Sequence, residues 1–170
     1  MTVRQVVDSV KHQGAEYRHG NDQPLGGYLG LMGTFLTLAA TGGYVVKRKG
    51  RLGRSPSPGD LVLAAIATHK LSRLVTKETV TSPLRAPFTR FAGPAAPAEL
   101  HEDTRGNGIQ KAIGELMTCP FCFGHWVATG FIIGFALAPQ ATRMVASALT
   151  VISGADVLQF AYAAVQKTEE

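Results

Sequence analysis

Residues Leu25–Val46 read LGGYLGLMGTFLTLAATGGYVV, an unbroken run without a charged side chain. A bilayer core about 30 Å thick requires about 20 helical residues, and this run is long enough to supply them. The run lacks the polar face that a helix on the surface of a soluble bundle would show. It continues directly into the basic stretch Lys47–Arg51. It therefore predicts a membrane-spanning helix with a stop-transfer flank, because the apolar region of a cleaved signal peptide is shorter.

Two further stretches are long and apolar enough to span a bilayer. Phe121–Thr142 contains no charge, and Met144–Val165 contains a single acid, Asp156. Charged residues make up 17% of the 170-residue chain, whereas soluble proteins carry about 25%. The sequence therefore predicts an all-α integral membrane protein with three transmembrane helices.

A fourth apolar stretch, Leu61–Val75, is interrupted by His69, Lys70 and Arg73. It predicts a short or interfacial helix whose second half is amphipathic. Helical spacing of apolar residues also predicts two amphipathic surface helices. The apolar positions of these two helices are Val3, Val6, Val7 and Val10 near the N-terminus, and Ile109, Ile113, Leu116 and Met117 further along.

The distribution of lysine and arginine predicts the topology through the positive-inside rule. Segment 47–120 holds 12 of the 17 basic residues. In a first arrangement 61–75 does not span, the N-terminus is outside, and 13 bases are inside against 4 outside. In a second arrangement 61–75 spans, the N-terminus is inside, and the count is 11 against 6. The charge count slightly favours the first, and both place loop 76–120 and the C-terminus in the cytoplasm.

The net charge of +5 does not indicate nucleic-acid binding, because the bases flank apolar segments and no recognition motif accompanies them. We expect membrane lipids as partners, with Arg85, Arg90 and Arg105 near anionic headgroups. Glycines at spacings of three and four, such as Gly26 and Gly30, allow helices to approach closely in lipid. The neighbouring helix would then be internal or belong to another copy of the chain.

Cys119-Pro120-Phe121-Cys122 is the one compact chemical motif. Pro120 suits the first turn of a helix, so Cys119 should lie near the N-cap, with both thiols near the positive end of the helix dipole. Three interpretations stay open: structural cysteines, a redox dithiol, and half of a metal site. Two cysteines cannot complete a zinc site, so a histidine or a second subunit would have to contribute ligands. The candidate histidines are His69, His101 and His125.

Asp156 is an acid inside an apolar segment and should be paired. His125 precedes Pro139 by nearly the same number of positions as Asp156 follows Arg143. With a turn at 139–143, both residues lie about 20 Å from that turn. We therefore expect Asp156 to face the bundle interior with His125 as its partner, and His69 or Lys70 as alternatives. Such a pair is a structural hydrogen bond or a proton or ion site.

Three runs together resemble the bacterial membrane-protein family called domain of unknown function 1360. They are Ala67–Thr76 (ATHKLSRLVT), Thr81–Arg90 (TSPLRAPFTR) and Gly114–Trp126 (GELMTCPFCFGHW). The resemblance covers about 58–165 and divides the chain into a tail (1–24), an added helix with a basic loop (25–57), the family-like domain and a short end (166–170). The matching motif residues are Lys70, Arg73, Thr81, Arg85, Pro87, Gly114, Glu115, Cys119, Cys122 and Trp126.

The resemblance implies no biochemical activity, because the family has none established. Some relatives are labelled sporulation proteins, which implies a Gram-positive source. In relatives the first run looks like a membrane helix, which favours the second arrangement. We expect Glu115 to pair with Arg73 or Arg85 beside the thiols.

Two function classes follow from the sequence. The first is a non-enzymatic membrane component that binds a protein partner or scaffolds an assembly. The second is a cytoplasm-facing thiol redox or metal-handling protein that uses Cys119 and Cys122. The sequence has no nucleotide-binding loop, catalytic triad or carboxylate-rich site, which favours the first class. No cofactor is required, and zinc belongs only to the second.

Overall fold

A computed structural model describes residues 2–53 and 55–167 of the chain. The predicted short end (166–170) therefore lies largely outside the described residues. The fold is mostly helical and includes one short hairpin. In chain order, the elements are α1 (Val3–Arg18), α2 (Leu25–Arg48), α3 (Pro58–Thr76), a 3-10 turn (Thr79–Thr81), α4 (Ser82–Arg85), β1 (Thr89–Ala96), β2 (Glu99–Thr104), α5 (Gly108–Thr118), α6 (Pro120–Leu137) and α7 (Pro139–Gln166).

Three of these helices, α2, α6 and α7, are long and apolar enough to cross a membrane. Most side chains of α2 and α7 face outward from the protein, while α6 is somewhat more buried. A helix whose apolar side chains face outward is stable in lipid, where such contacts carry no hydrophobic penalty. The predicted three long apolar helices are confirmed.

The fourth apolar stretch forms the 19-residue helix α3 at the centre of the bundle. It packs along both α6 and α7, and the core between the three helices contains Ala64, Ala67, Phe131, Phe135 and Ala146. The small alanines allow close approach of the helices. In its second half Lys70 is buried through pairing with other elements, whereas His69 is exposed. The prediction that this helix is short or interfacial in a membrane stays a prediction.

The four long helices alternate in direction. Phe35 of α2 contacts Trp126 of α6 with ring centroids 5.2 Å apart, and Gly42 lies against Ile133, so α2 and α6 run the same way. α3 and α7 both run the opposite way, because Asp60 contacts Arg143 near their starts.

Loop 49–57 and segment 77–119 consequently lie at opposite ends of the bundle. At one end the Arg51 guanidinium donates to the Leu137 carbonyl. At the other end Lys111 contacts Asp22, 3.1 Å away. Helix α3 runs the full length of the bundle between these two segments. Which of the two topological arrangements the chain adopts in a membrane stays a prediction.

Residues 77–119, which we call the head, contain an antiparallel hairpin. β1 pairs with β2 from Thr89 opposite Thr104 to Ala96 opposite Glu99, with irregularities after Phe91 and Pro94. The all-α prediction is therefore wrong for this segment. Alanine, glycine and proline give β1 little strand propensity, so the local sequence does not indicate a strand. Pro94 is tolerated because it lies at one of the irregular positions of the ladder.

Helix α2 packs against the head through a close approach to α5. Gly27 is buried, and a Cβ atom at this position would lie 2.7 Å from the Ala112 Cβ and 2.8 Å from the Gly108 carbonyl oxygen. The Tyr28 hydroxyl donates to the Glu115 carboxylate at the same level. A glycine at 27 thus permits the two helices to meet.

Gly27→Ala should lower the melting temperature of the detergent-solubilised protein, because α2 and α5 must separate to accommodate the new methyl group. Gly26→Ala is the matched control, since nothing lies within 4 Å of a Cβ at 26. Alanine is favoured over glycine in a helix by about 1 kcal/mol, so this control should melt at the same or a higher temperature. Equal melting temperatures for the two variants would contradict the α2–α5 contact.

Candidate functional site

Arg85 is fully buried and organises the junction between α3 and the head. Its Nη1 donates to the Val75 carbonyl and to the Thr81 hydroxyl, both at 2.8 Å, and its Nη2 donates to the Glu78 carbonyl at 3.1 Å. Its Nε donates to the Glu102 carboxylate on β2. The guanidinium therefore caps the C-terminal end of α3, where a positive charge is favourable. The same group connects the 3-10 turn and the hairpin to that helix.

Lys70 forms a second buried ionic group less than two turns before the end of α3. Its ammonium lies 2.8 Å from the Asp156 carboxylate of α7 and also contacts Glu78 of the head. The Lys70 side chain is 9% exposed and that of Asp156 is 38% exposed. One ammonium thus joins two helices and the head.

Arg73 completes the set by pairing with Glu99 at the start of β2. The three cations Lys70, Arg73 and Arg85 face four carboxylates, which are Glu78, Glu99, Glu102 and Asp156. We call these seven residues the junction network. Buried charges are tolerated only when they are paired and hydrogen-bonded, and this network fulfils that condition.

The predicted pairing of Glu115 with Arg73 or Arg85 is wrong. Arg73 and Arg85 pair with Glu99 and Glu102, while Glu115 accepts a hydrogen bond from Tyr28 of α2. The physical reason is that the hairpin, absent from the sequence prediction, brings its own carboxylates to both arginines.

The expected pairing of His125 with Asp156 is also not formed. Only Ala138 separates α6 from α7, so Asp156 lies further along the chain from the turn than His125 does. The two distances from the turn are about 20 Å for His125 and about 27 Å for Asp156. His125 is exposed and its Nδ1 lies 2.9 Å from the Phe121 carbonyl oxygen of its own helix. Asp156 instead contacts Lys70, one of the alternatives, because α3 packs between α6 and α7.

The two cysteines lie at the junction of α5 and α6. Cys119 ends α5, is the N-cap of α6, and has an extended backbone. Its Sγ accepts the backbone N–H of Cys122 at 3.2 Å, and the two Sγ atoms are 2.6 Å apart. The N-cap position of Cys119 matches the sequence prediction.

The remaining predicted polar residues of this face take no part in the junction network. His69 is exposed on α3, next to the buried Lys70. Arg90 is exposed on β1, where it lies opposite Asp103 in the hairpin. Within residues 2–53 and 55–167, no group of three or more His, Cys, Asp or Glu side chains could hold a metal ion.

Sequence reasoning missed an ion pair at the opposite end of the bundle. Asp60 is buried and accepts two hydrogen bonds from the Arg143 guanidinium, at 2.7 and 2.8 Å. Asp60 also forms a capping box with Ser57. The sequence contains a signal for the capping role of Asp60, because a serine followed three residues later by an acid marks the start of a helix. Glu78, Glu99, Glu102 and Tyr28 carry no comparable local signal.

Comparison with known proteins gives a family and a curated relative. The family model described as protein of unknown function (DUF1360) matches residues 63–162. The chain belongs to this family. A curated relative, "Sporulation protein YjcA" of Bacillus subtilis (strain 168), is 29% identical over 102 residues, which cover 58% of this chain and 86% of the relative. No solved structure matches the chain.

The family match includes all three sequence runs that carry the resemblance, and the fold brings them to one end of the bundle. The first run forms the second half of α3, the second leads from the 3-10 turn into β1, and the third spans the α5–α6 junction. Gly114 of the third run approaches the second run closely, since a Cβ there would lie 2.7 Å from the Phe88 carbonyl oxygen. The three runs therefore meet around the junction network and the cysteine pair.

Variants of Lys70 and Asp156 should differ in stability. Lys70→Met leaves the carboxylates of Glu78 and Asp156, which are partly buried, without their cation and should reduce the free energy of unfolding by about 1–3 kcal/mol. Asp156→Asn leaves Lys70 paired with Glu78 and keeps a hydrogen-bond acceptor at 156, so the loss should be about 1 kcal/mol. Thermal unfolding in detergent measures both.

The double variant Lys70→Met/Asp156→Asn should be more stable than Lys70→Met alone, because one of the two unpaired carboxylates is removed. A double variant that loses the sum of both single effects would contradict the shared pairing of these residues.

Proposed function

We propose that the chain is a multi-pass protein of a bacterial cytoplasmic membrane in which α2, α3, α6 and α7 cross the bilayer. Three of these helices have the required length and apolarity. The fourth, α3, packs along both α6 and α7. Its ionic residues are paired at both ends, with Asp60 on Arg143 and Lys70 on Asp156. A charge inside a membrane is tolerated in such a pair.

In this proposal the head and both termini face the cytoplasm. The basic residues support this orientation with 11 on the head side and 6 on the other side. Three of those six have local structural partners, since Arg51 caps the end of α6, Arg143 pairs with Asp60, and Arg48 lies over the ring of Tyr44. Their presence on the outer side therefore has a structural explanation.

We further propose that the head binds a protein partner and that the chain is a subunit of a membrane assembly. The observation that carries this proposal is the division of side chains in the head. Its glutamates at 78, 99 and 102 turn inward to pair with cations of the junction network. Its apolar side chains Val80, Leu84 and Phe91 are exposed by 75%, 59% and 68%. Large apolar side chains that are exposed on the soluble part of a protein favour association of that part with a partner.

The name of the relative indicates where to look for such an assembly. That protein is named a sporulation protein. Sporulation is therefore the first process in which to search for a partner of this chain.

A photoreactive phenylalanine analogue at position 91, introduced into the full chain in its host, should cross-link to one protein of defined mass. The same analogue at Leu52 is the matched control, because Leu52 is also exposed, by 65%, but lies at the opposite end of the bundle. Lipid adducts alone at position 91, or the same protein adduct from both positions, would contradict partner binding by the head.

The orientation is measured with single cysteines at the same two positions in a Cys119→Ser/Cys122→Ser background. A membrane-impermeant maleimide should modify Leu52→Cys in intact cells and Phe91→Cys only after permeabilisation. The opposite labelling would overturn the orientation independently of the cross-linking result.

A further inference from the structure

Cys119 and Cys122 are the only cysteines of the chain, and both are free thiols. The extended backbone of Cys119 separates α5 from α6 and directs its side chain over the first turn of α6. The two sulfur atoms consequently lie 2.6 Å apart. A bond between them requires no rearrangement of the bundle, since both residues belong to one turn at the end of a helix.

The surroundings of the two sulfurs differ. Cys119 Sγ is the acceptor of the Cys122 N–H, 3.2 Å away, at the N-terminus of α6. Backbone donors at a helix N-terminus stabilise negative charge. Cys122 lies inside the first turn of α6, and its own N–H is the donor of this hydrogen bond. Cys119 is thus the sulfur suited to attack first, and Cys122 the sulfur suited to act second.

The pair is not enclosed by other parts of the protein. Cys122 is exposed and Cys119 is partly exposed, and both lie at the first turn of α6. The site lies at the head end of α6, away from the core of Ala64, Phe131 and Phe135. An incoming disulfide can therefore reach the sulfurs without entering the helix bundle.

We propose that Cys119 and Cys122 form a thiol–disulfide exchange site that reduces a disulfide presented at the head. The Cys119 thiolate attacks one sulfur of the disulfide R–S–S–R, so that a mixed disulfide forms and the first thiol R–SH leaves with a proton from water. Cys122 then loses its proton and attacks Cys119 Sγ, and the second R–SH leaves. The substrate gains two electrons and two protons, and the chain keeps a Cys119–Cys122 disulfide. A cellular thiol regenerates the dithiol by the reverse exchange.

The proposal goes beyond partner binding and does not depend on it. It is tested on the purified full chain in detergent with glutathione disulfide as the probe. Free thiols are counted by maleimide mass shift across a series of ratios of reduced to oxidised glutathione. Wild type should pass reversibly from two free thiols to none, with no glutathione retained. Two free thiols at every ratio, or two bound glutathiones, would overturn the exchange site.

Single variants test the order of attack and trap the intermediate. Cys122→Ser should retain one glutathione on Cys119, and Cys119→Ser should react at least about threefold more slowly, because its remaining thiol lacks the N-cap position. Equal rates in the two variants would overturn the assignment of Cys119 as the first sulfur. In host cells, Cys122→Ser should hold either a low-mass thiol or a protein in the same linkage, which identifies the source of the disulfide. Absence of any adduct in cells would overturn the activity.

Discussion

The buried guanidinium of Arg85 is the interaction on which the rest of the structure depends. A charged side chain without solvent contact must be surrounded by acceptors, and Arg85 finds them on α3, on the 3-10 turn and on β2. These acceptors come from separate segments of the chain, so the charge can be satisfied only when all of them meet. The hairpin has little strand propensity of its own, and its position follows from this requirement.

The position of Glu78 links Arg85 to the interior of the bundle. Its carbonyl accepts from Arg85 and its carboxylate contacts Lys70, which in turn reaches Asp156 on α7. The same end of the bundle carries the cysteine pair and the contact of Tyr28 with Glu115. These charged residues hold the head on the helices, whereas similar charges in a soluble enzyme could form a catalytic site. The exposed apolar side chains of the head and the two thiols remain for interactions with other molecules.

Most long helices could be predicted from the sequence, because an uninterrupted apolar run of about 20 residues has few alternatives to a membrane helix. The N-cap position of Cys119 could also be predicted, since Pro120 marks the first helical turn. The partners of Asp156 and Glu115 could not. A depth count along two helices is sensitive to the position of the turn, and it ignores a third helix such as α3 that packs between them. The hairpin could not be predicted, because ion pairs between residues distant in sequence stabilise it. Its strands also lack the alternation of apolar residues that indicates a strand.

The central claim is that Arg85 couples the head to the end of α3, and amide hydrogen exchange of the full chain in lipid nanodiscs tests it most directly. We predict that peptides covering 72–79 and 99–105 exchange slowly and at similar rates in the wild-type protein. Both should lose protection together in Arg85→Gln, while Arg90→Gln, a change at an exposed arginine of the same head, should leave them protected. Fast exchange of the hairpin in the wild-type protein, or unchanged protection in Arg85→Gln, would contradict the account.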